Sequence, residues 1–346
     1  MALGGGVWVT QNKTLPGSYI NIVSASKATA TVGERGVVAI PMALNKAVGE
    51  VITITRAEFI KDSKTLLGIE FTSDEAKPLR EIFCNAAKVY IYDMGEEGTA
   101  SEAVAALEPY DFNIFCAYTG EAADITQYIT AVKSWRDDMG KKCQIVAYNQ
   151  EKPDHEGVIN VKSTVADEGA DAFALVAWVA GAEAGAEVNE SCTNMKYNGE
   201  YNIVCKLTQT ELEQAITNGE FVFHLVYGDV CVLEDVNSLI TTTVDKGEDF
   251  KSNQTMRVVD QIANDIAKLF NTKYLGKIPN DASGRISLWA DIVSHHRQLE
   301  EIRAIENFDS SLITVEQGAT KKAVVVNDVV TPVNAMAQLY MTVVIQ

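Results

Sequence analysis

The chain has 346 residues, 47% of them hydrophobic, and its 47 acidic and 29 basic residues give a net charge of −18. At roughly 100–200 residues per domain, this length predicts two or three domains with buried cores. The acidic balance argues against nucleic acid or an anionic membrane as a partner. Because the sequence has no long apolar run and no signal-like start, we expect that the chain folds in a cytoplasm and does not insert into a membrane.

Residues 1–18 predict an extended N-terminal arm. Gly4-Gly5-Gly6 leads into two extended stretches on either side of Leu15-Pro16-Gly17, and no helical period of apolar residues is present. The apolar side chains of these stretches are Val7, Val9, Tyr19, Ile20 and Ile22.

Residues 19–95 predict a small β-rich domain. Short runs such as ATATVG, GVVAIPMAL, EVITITR and LLGIEF are separated by Gly, Asn and Lys. One short helix is expected at residues 73–85.

Residues 96–243 predict an α/β domain. The apolar strands FNIFCAY, CQIVAY and GVINVK alternate with helices expected at 122–139 and 170–186, which indicates parallel pairing. Within the second helix, the segment AGAEAG favours close packing of small residues over a dinucleotide site, and Trp178 is predicted to lie in the core.

Residues 244–332 predict a third domain of mixed helix and strand. Two long amphipathic helices are expected at 253–271 and 283–304. They precede a β-rich ending, LITVEQ and AVVVNDVV, with a turn predicted at Asn327-Asp328.

Residues 333–346 predict a single strand that continues to the last residue. Apolar side chains alternate along it, with Ala337, Leu339, Met341, Val343 and Ile345 on one face. Because an unpaired apolar strand promotes aggregation, we expect a sheet of the same molecule or of a neighbour to accept it.

Enzyme and metal motifs are missing from this pattern. There is no G-x-S-x-G motif, and His155 lies in a polar loop where we expect an exposed structural residue. His295 and His296 are adjacent on a helix, with Asp291 and Glu300 four residues away on either side. Because the two rings point about 100° apart, a shared metal is disfavoured and a solvated or subunit-facing position is expected. We therefore predict no catalytic residues, no cofactor and no metal.

Four segments in this order resemble the tail sheath proteins of contractile phages and phage-derived bacteriocins. They are LPGSYINI (15–22), VAGAEAGAEVNESCTN (179–194), NQTMRVVDQIANDIAKLFNTKYLGKIPND (253–281) and VVVNDVVTPVNAMAQLYMTVVIQ (324–346). The likeness extends over most of the chain and is strongest after Phe173.

The resemblance implies a structural subunit that assembles as hexameric rings, stacked as a six-start helix around an inner tube, and contracts to drive the tube through the envelope of a target cell. It implies an α+β multidomain fold with a subtilisin-like architecture for the α/β domain. Both arms are expected to join sheets of adjacent subunits by β-strand addition, with hinges at Gly17 and Pro332.

The implied partners are the chain itself, the tube protein, and baseplate and tail terminator proteins. The implied location is a phage tail or tail-like particle, assembled in the cytoplasm of the bacterial host. The resemblance implies that the domain from residue 244 faces the tube; the candidate contact charges are Arg257, Lys268, Lys273, Arg285, Arg297 and Arg303. The alternatives left open are another self-assembling tail component, such as a tube or baseplate protein, and a soluble α/β enzyme.

Overall fold

The computed structural model describes residues 32–345. The predicted arm residues Val7, Val9, Tyr19, Ile20 and Ile22, the predicted hinge Gly17 and the last residue, Gln346, lie outside this range.

A seven-stranded sheet organises the first two thirds of the described chain. Its strands are β1 (Val37–Met42), β2 (Val51–Thr55), β3 (Lys88–Asp93), β4 (Ile114–Cys116), β5 (Gln144–Tyr148), β6 (Val158–Val161) and β7 (Glu220–Phe221). The spatial order is β2-β3-β1-β4-β5-β6-β7, and all neighbours are parallel except β2, which pairs antiparallel with β3 at one edge.

Six helices accompany this sheet. They are α1 (Arg56–Leu67), α2 (Lys77–Phe83), α3 (Ala100–Leu107), α4 (Ala122–Asp137), α5 (Leu175–Gly185) and α6 (Gln209–Thr217). Capping boxes start α1, α3 and α6, in which a threonine and the glutamate three residues later satisfy each other's backbone N–H groups. The position of each start is therefore readable from the local sequence.

Helices cover both faces of the sheet, so its central strands are apolar on both sides. On β1, Val38 and Ile40 pack with α1, α2 and α5, whereas Ala39 packs on the opposite face with α3 and α4. The helix predicted at 122–139 is confirmed as α4, which buries one apolar face in this second core: Ile125, Tyr128, Ile129, Val132 and Trp135.

The predicted separation of a β-rich domain from an α/β domain near residue 95 is wrong. Strand β1 pairs with β3 on one side and with β4 on the other, so that Val38 lies between Val89 and Ile114 in one ladder. The run LLGIEF, predicted as a strand, contains the end of α1, whose left-handed C-cap is Gly68. Periodicity describes each strand locally but does not report which strands are neighbours.

The small residues of α5 allow close contact with α2, as predicted. A methyl group on Gly181 would lie 2.3 Å from the Ile82 carbonyl oxygen, and one on Gly185 would lie 2.3 Å from that of Asn85. Trp178 is fully buried on this helix, and its indole N–H donates to Asn198 Oδ1 at 2.7 Å. The segment therefore serves helix packing.

The remaining elements begin with a hairpin, β8 (Phe223–Val226) and β9 (Asp229–Val232). Next come α7 (Asn253–Leu269), extended by a π-helical turn at Phe270–Tyr274, α8 (Ala282–Glu301), and a second hairpin, β10 (Thr314–Gln317) and β11 (Val324–Asn327). Short 3₁₀ turns lie at Glu248–Lys251 and Ser310–Leu312. The hairpin turn falls at 318–323, before the predicted turn at Asn327-Asp328.

A separate small core joins α7, α8 and the second hairpin. Leu269, Leu288, Ile292 and Ile313 form its centre. Within residues 32–345, no helix combines the length and apolarity needed to cross a bilayer.

Candidate subunit interface

The last described segment leaves the body of the molecule after Ala335. Val333 N donates to Ala304 O at 3.0 Å, and Ala335 N donates to Gln254 Oε1 at 2.9 Å. Contacts therefore continue for three residues beyond the predicted hinge Pro332, which places the last anchoring point on α7.

Beyond Ala335 the chain is unpaired with any strand of residues 32–345. Its large apolar side chains are between 72% and 102% exposed. They are Met336, Leu339, Tyr340, Met341, Val343, Val344 and Ile345. Both faces of the predicted strand are thus uncovered in a single subunit.

The second hairpin, which precedes this segment in the chain, also exposes apolar side chains. Val325 and Val329 are exposed on β11 and in the loop that follows it. The hairpin is held to α8, where Trp289 Nε1 donates to Ile313 O at 3.2 Å. A two-stranded sheet anchored in this way presents a free edge to solvent.

The six cations predicted to face the tube occupy different environments. Lys268, Arg297 and Arg303 are exposed. Lys273 forms an ion pair with Asp291, and Arg285 is half-buried. Three of these side chains are therefore open to a partner, and Lys273 and Arg285 are open in part.

Arg257 is the exception, and the prediction that it faces the tube is wrong. Its side chain is 1% exposed, with Nη2 lying 2.6 Å from Glu183 Oε2 and 3.4 Å from Asp235 Oδ2. Its other terminal nitrogen donates to the Glu190 carbonyl. The first turns of α7 are buried, so a charge there meets the body of the protein instead of solvent.

The carboxyl groups around Arg257 differ in acidity. Burial and the neighbouring Asp235 raise the pKa of Glu183 well above its ordinary value. Burial also opposes ionisation of Asp235, but Arg257 together with hydrogen bonds from Glu183, the Cys192 backbone and Asn253 outweighs it, and the pKa of Asp235 is lowered. Arg257 and ionised Asp235 therefore form the charged pair of this cluster.

A second buried ion pair fixes α7 to the body, and sequence reasoning missed it. Arg136 on α4 contacts Asp260 on α7 through two bonds, Nη1 to Oδ2 at 2.6 Å and Nη2 to Oδ1 at 3.0 Å. One turn later, Asn264 Nδ2 donates to Lys142 O at 2.8 Å. The fork geometry of a bidentate pair fixes the orientation as well as the distance. No local pattern signals such pairs, because the partners lie more than 100 residues apart.

The two adjacent histidines also differ from expectation. Both are fully buried, and their carboxylate partners are Asp265 and Asp328, not the predicted Asp291 and Glu300. The expected solvated position is therefore wrong. His155 is likewise buried, with Nε2 3.1 Å from Asp137 Oδ2. Burial lowers its pKa below the ordinary value for histidine.

Two clusters of residues 32–345 have the composition of metal ligands. In the first, Arg257 already binds Glu183 and Asp235 beside Cys192. In the second, His155 Nδ1 accepts from Gly157 N at 2.9 Å, and Glu156 pairs with Lys246 at 2.7 Å. Each of these side chains therefore already binds a protein group through at least one atom.

A cleft of about 400 Å³ lies where the carboxyl ends of β1, β3 and β4 meet, the usual ligand position in α/β folds. Carboxylates and tyrosines line it, among them Asp124, Asp171, Tyr118 and Tyr128. Its lining within the described chain includes no serine, cysteine, histidine or lysine.

Comparison with protein families gives two matches. Residues 96–238 match the phage tail sheath protein central domain, and residues 245–346 match the phage tail sheath C-terminal domain. The phage-like element PBSX protein XkdK of Bacillus subtilis is 30% identical over 253 residues, which cover 69% of this chain and 54% of the relative. The tail sheath protein of Clostridium phage phiCD119 is 28% identical over 251 residues, covering 72% and 67%.

Solved structures show the same fold. The sheath tail protein DSY3957 of Desulfitobacterium hafniense has a TM-score of 0.80 at 26% identity, covering 91% of this chain and 96% of that one. The contracted helical sheath of the anti-feeding prophage has a TM-score of 0.75 at 14% identity, covering 96% and 99%.

The chain spans about half the length of its Bacillus subtilis relatives, 49% in one and 54% in the other. The family matches are consecutive and cover both the sheet with its helices and the C-terminal helices with their hairpin. The chain belongs to the family of contractile phage tail sheath proteins, a family of structural proteins of phage tails and tail-like particles.

Proposed function

We propose that this chain is the repeating subunit of a contractile sheath. Subunits assemble as hexameric rings in a six-start helix around an inner tube, and contraction drives the tube through the envelope of a target cell. The particle assembles in the cytoplasm of the bacterial host, and the sheath meets baseplate and tail terminator proteins at its ends. The subunit performs no catalysis of its own.

The exposed segment 336–345 carries this proposal. Its apolar side chains have no cover in the subunit, although burying one such side chain contributes about 1.5–3 kcal/mol. The free edge of the β10–β11 hairpin offers the backbone groups that a strand from another copy needs. Strand addition between copies is a heterologous contact, and it repeats along an axis without closing.

The distribution of charge supports a tube contact through the C-terminal region. Residues 32–244 hold 34 acidic and 16 basic residues, whereas residues 245–346 hold 13 and 11. The exposed cations Lys268, Arg297 and Arg303 lie in the nearly neutral part. A tube surface that approaches the C-terminal helices therefore avoids the strong acidity of the sheet region.

Removal of residues 336–346 tests the role of the segment. Because the last anchoring contact is made by Ala335, the shortened chain is expected to fold with unchanged stability. Negative-stain microscopy should show hollow cylinders for the full chain and none for the shortened one. Cylinders of normal length from the shortened chain would contradict the proposal.

A pair of matched double variants tests the strand geometry. Leu339→Glu with Val343→Glu places two charges on the apolar face, and Gln338→Glu with Thr342→Glu adds the same charge on the other face. We expect the first variant to stay unassembled and the second to form cylinders. Equal assembly of both would show that the segment does not insert as a strand by that face.

A further inference from the structure

The buried pair His295 and His296 lies at the centre of a chain of hydrogen bonds. His295 Nε2 is 2.9 Å from Asp265 Oδ2, and His296 Nε2 is 2.7 Å from Asp328 Oδ2. The two Nδ1 atoms face each other at 3.3 Å. We call these four residues the histidine tetrad.

Three hydrogen bonds need three protons, one in each bond. Asp265 Oδ2 already accepts from Gly33 N and Gln261 Nε2, both at 3.0 Å, so the carboxylate is an acceptor and His295 Nε2 must donate. If His296 Nε2 donates to Asp328 in the same way, two neutral imidazoles have no proton left for the contact between the Nδ1 atoms. Two bare nitrogens would then face each other in a dry site, which is unfavourable.

The alternative arrangement gives the same count. If Asp328 is protonated and donates to His296 Nε2, then His296 Nδ1 carries the proton that is donated to His295 Nδ1. Whichever way the protons are placed, the closed chain of bonds contains one more proton than two neutral histidines beside two ionised aspartates would carry.

The groups that face the two rings come from three elements. Helix α7 contributes Asp265, the loop after β11 contributes Asp328, and the loop after α8 contributes the uncharged ring of Phe308, 5.3 Å from His296. Both ionisable partners are carboxylates, and they favour a positive charge between them.

We propose that the histidine tetrad is a proton-binding site, which takes one proton from solvent when the chain folds and holds it between the two Nδ1 atoms. The site joins α8 to two other parts of the described chain, Gly33 near its beginning and the loop after β11 that leads to residues 332–335. Asp265 binds the backbone at Gly33, and Asp328 lies four residues before Pro332. Loss of the proton removes the central bond between the two rings.

Nitrogen spectra of the full chain test this count directly. Magic-angle-spinning ¹⁵N spectra of histidine-labelled protein distinguish protonated from bare ring nitrogens whether or not the subunits assemble. The chain has four histidines, two of which lie outside the tetrad. The signals lost in His155→Gln and in His224→Gln belong to these two residues, and the signals that remain belong to His295 and His296. Both substitutions lie outside the tetrad, so the four residues of the tetrad are unchanged in every spectrum.

At pH 7 we expect one proton between the two Nδ1 atoms, seen as one protonated and one bare Nδ1 or as two averaged Nδ1 signals, whether the third proton lies on His296 Nε2 or on Asp328. Two bare Nδ1 nitrogens, or two fully protonated ones, would overturn the proposal. His296→Gln keeps a donor for Asp328 but removes one of the two Nδ1 atoms, so the shared-proton signal should be lost, whereas His224→Gln should retain it. Persistence of that signal in His296→Gln would also refute the site.

Discussion

Replacing Arg257 with methionine is expected to destabilise the subunit by about 3–5 kcal/mol, the usual effect of removing one partner from a buried ion pair. The side chains of Arg257 and Asp235 are 1% and 2% exposed. At their separation of 3.4 Å, an effective dielectric constant of about 20 gives a lost attraction of about 5 kcal/mol, in line with this range. The methionine fills most of the volume but leaves the Asp235 carboxylate without its cation.

Urea unfolding followed by circular dichroism measures this effect. With a denaturant slope of about 3 kcal/mol per M, the midpoint should fall by about 1 M or more. Arg297→Met is the matched control, because Arg297 is exposed on α8, and its effect should stay within about 0.5 kcal/mol. Equal stability of the two variants would refute the assignment of Arg257 to a buried charge pair and would reopen a role on the surface.

Two further predictions concern the sheet region. Gly181→Ala should destabilise the subunit by about 1–3 kcal/mol, because the added methyl group would lie 2.3 Å from the Ile82 carbonyl oxygen, whereas Gly247→Ala, in open space, should change the stability by less than about 0.5 kcal/mol. The measurement is again the urea midpoint, and equal shifts would contradict the close packing of α5 on α2. Burial opposes ionisation of Asp93, but five backbone N–H donors, including that of Ala47, outweigh it and lower the pKa of Asp93 below its ordinary value. Its contribution to stability is therefore complete above about pH 4, the ordinary value, and is lost as the pH falls through the lowered pKa. Asp93→Asn should thus be less stable than the wild type at pH 7 and approach it in acid; a difference that grows in acid would contradict this.

Local patterns predicted single elements well. The spacing of apolar residues placed α4 at 122–139, and the structure has Ala122–Asp137. It placed α7 at 253–271 and α8 at 283–304, against Asn253–Leu269 and Ala282–Glu301. A helix that buries one stripe repeats its signal every turn, so the pattern survives without knowledge of what covers the stripe.

The organisation of these elements was harder to predict. The sequence predicts a separate domain for the strands of residues 37–93, although β1 lies in the middle of the seven-stranded sheet. Sequence order and spatial order differ there, since β1 pairs with β3 and β4 and not with β2. The ladder is decided by tertiary packing, and no periodicity encodes it.

Buried charges were the main error at the candidate interface. The sequence pattern predicts that a cation on an amphipathic helix faces outward, but Arg257 lies in turns of α7 that are buried on every side. Helical spacing points to partners of His295 and His296 four residues away on the same helix, whereas Asp265 and Asp328 come from distant parts of the chain. Only folding brings such groups together, so the sequence holds no local trace of them.

The exposed segment 336–345 restricts the kind of sheet that can accept it. Val343, Val344 and Ile345 are consecutive and apolar, so a β-strand through them points large hydrocarbon side chains both upward and downward. A sheet lying open on a surface would shield one side and leave the other wet. Around these three residues the recipient is therefore expected to cover the strand from both sides, whereas Gln338 and Thr342 leave the earlier part of the second face polar.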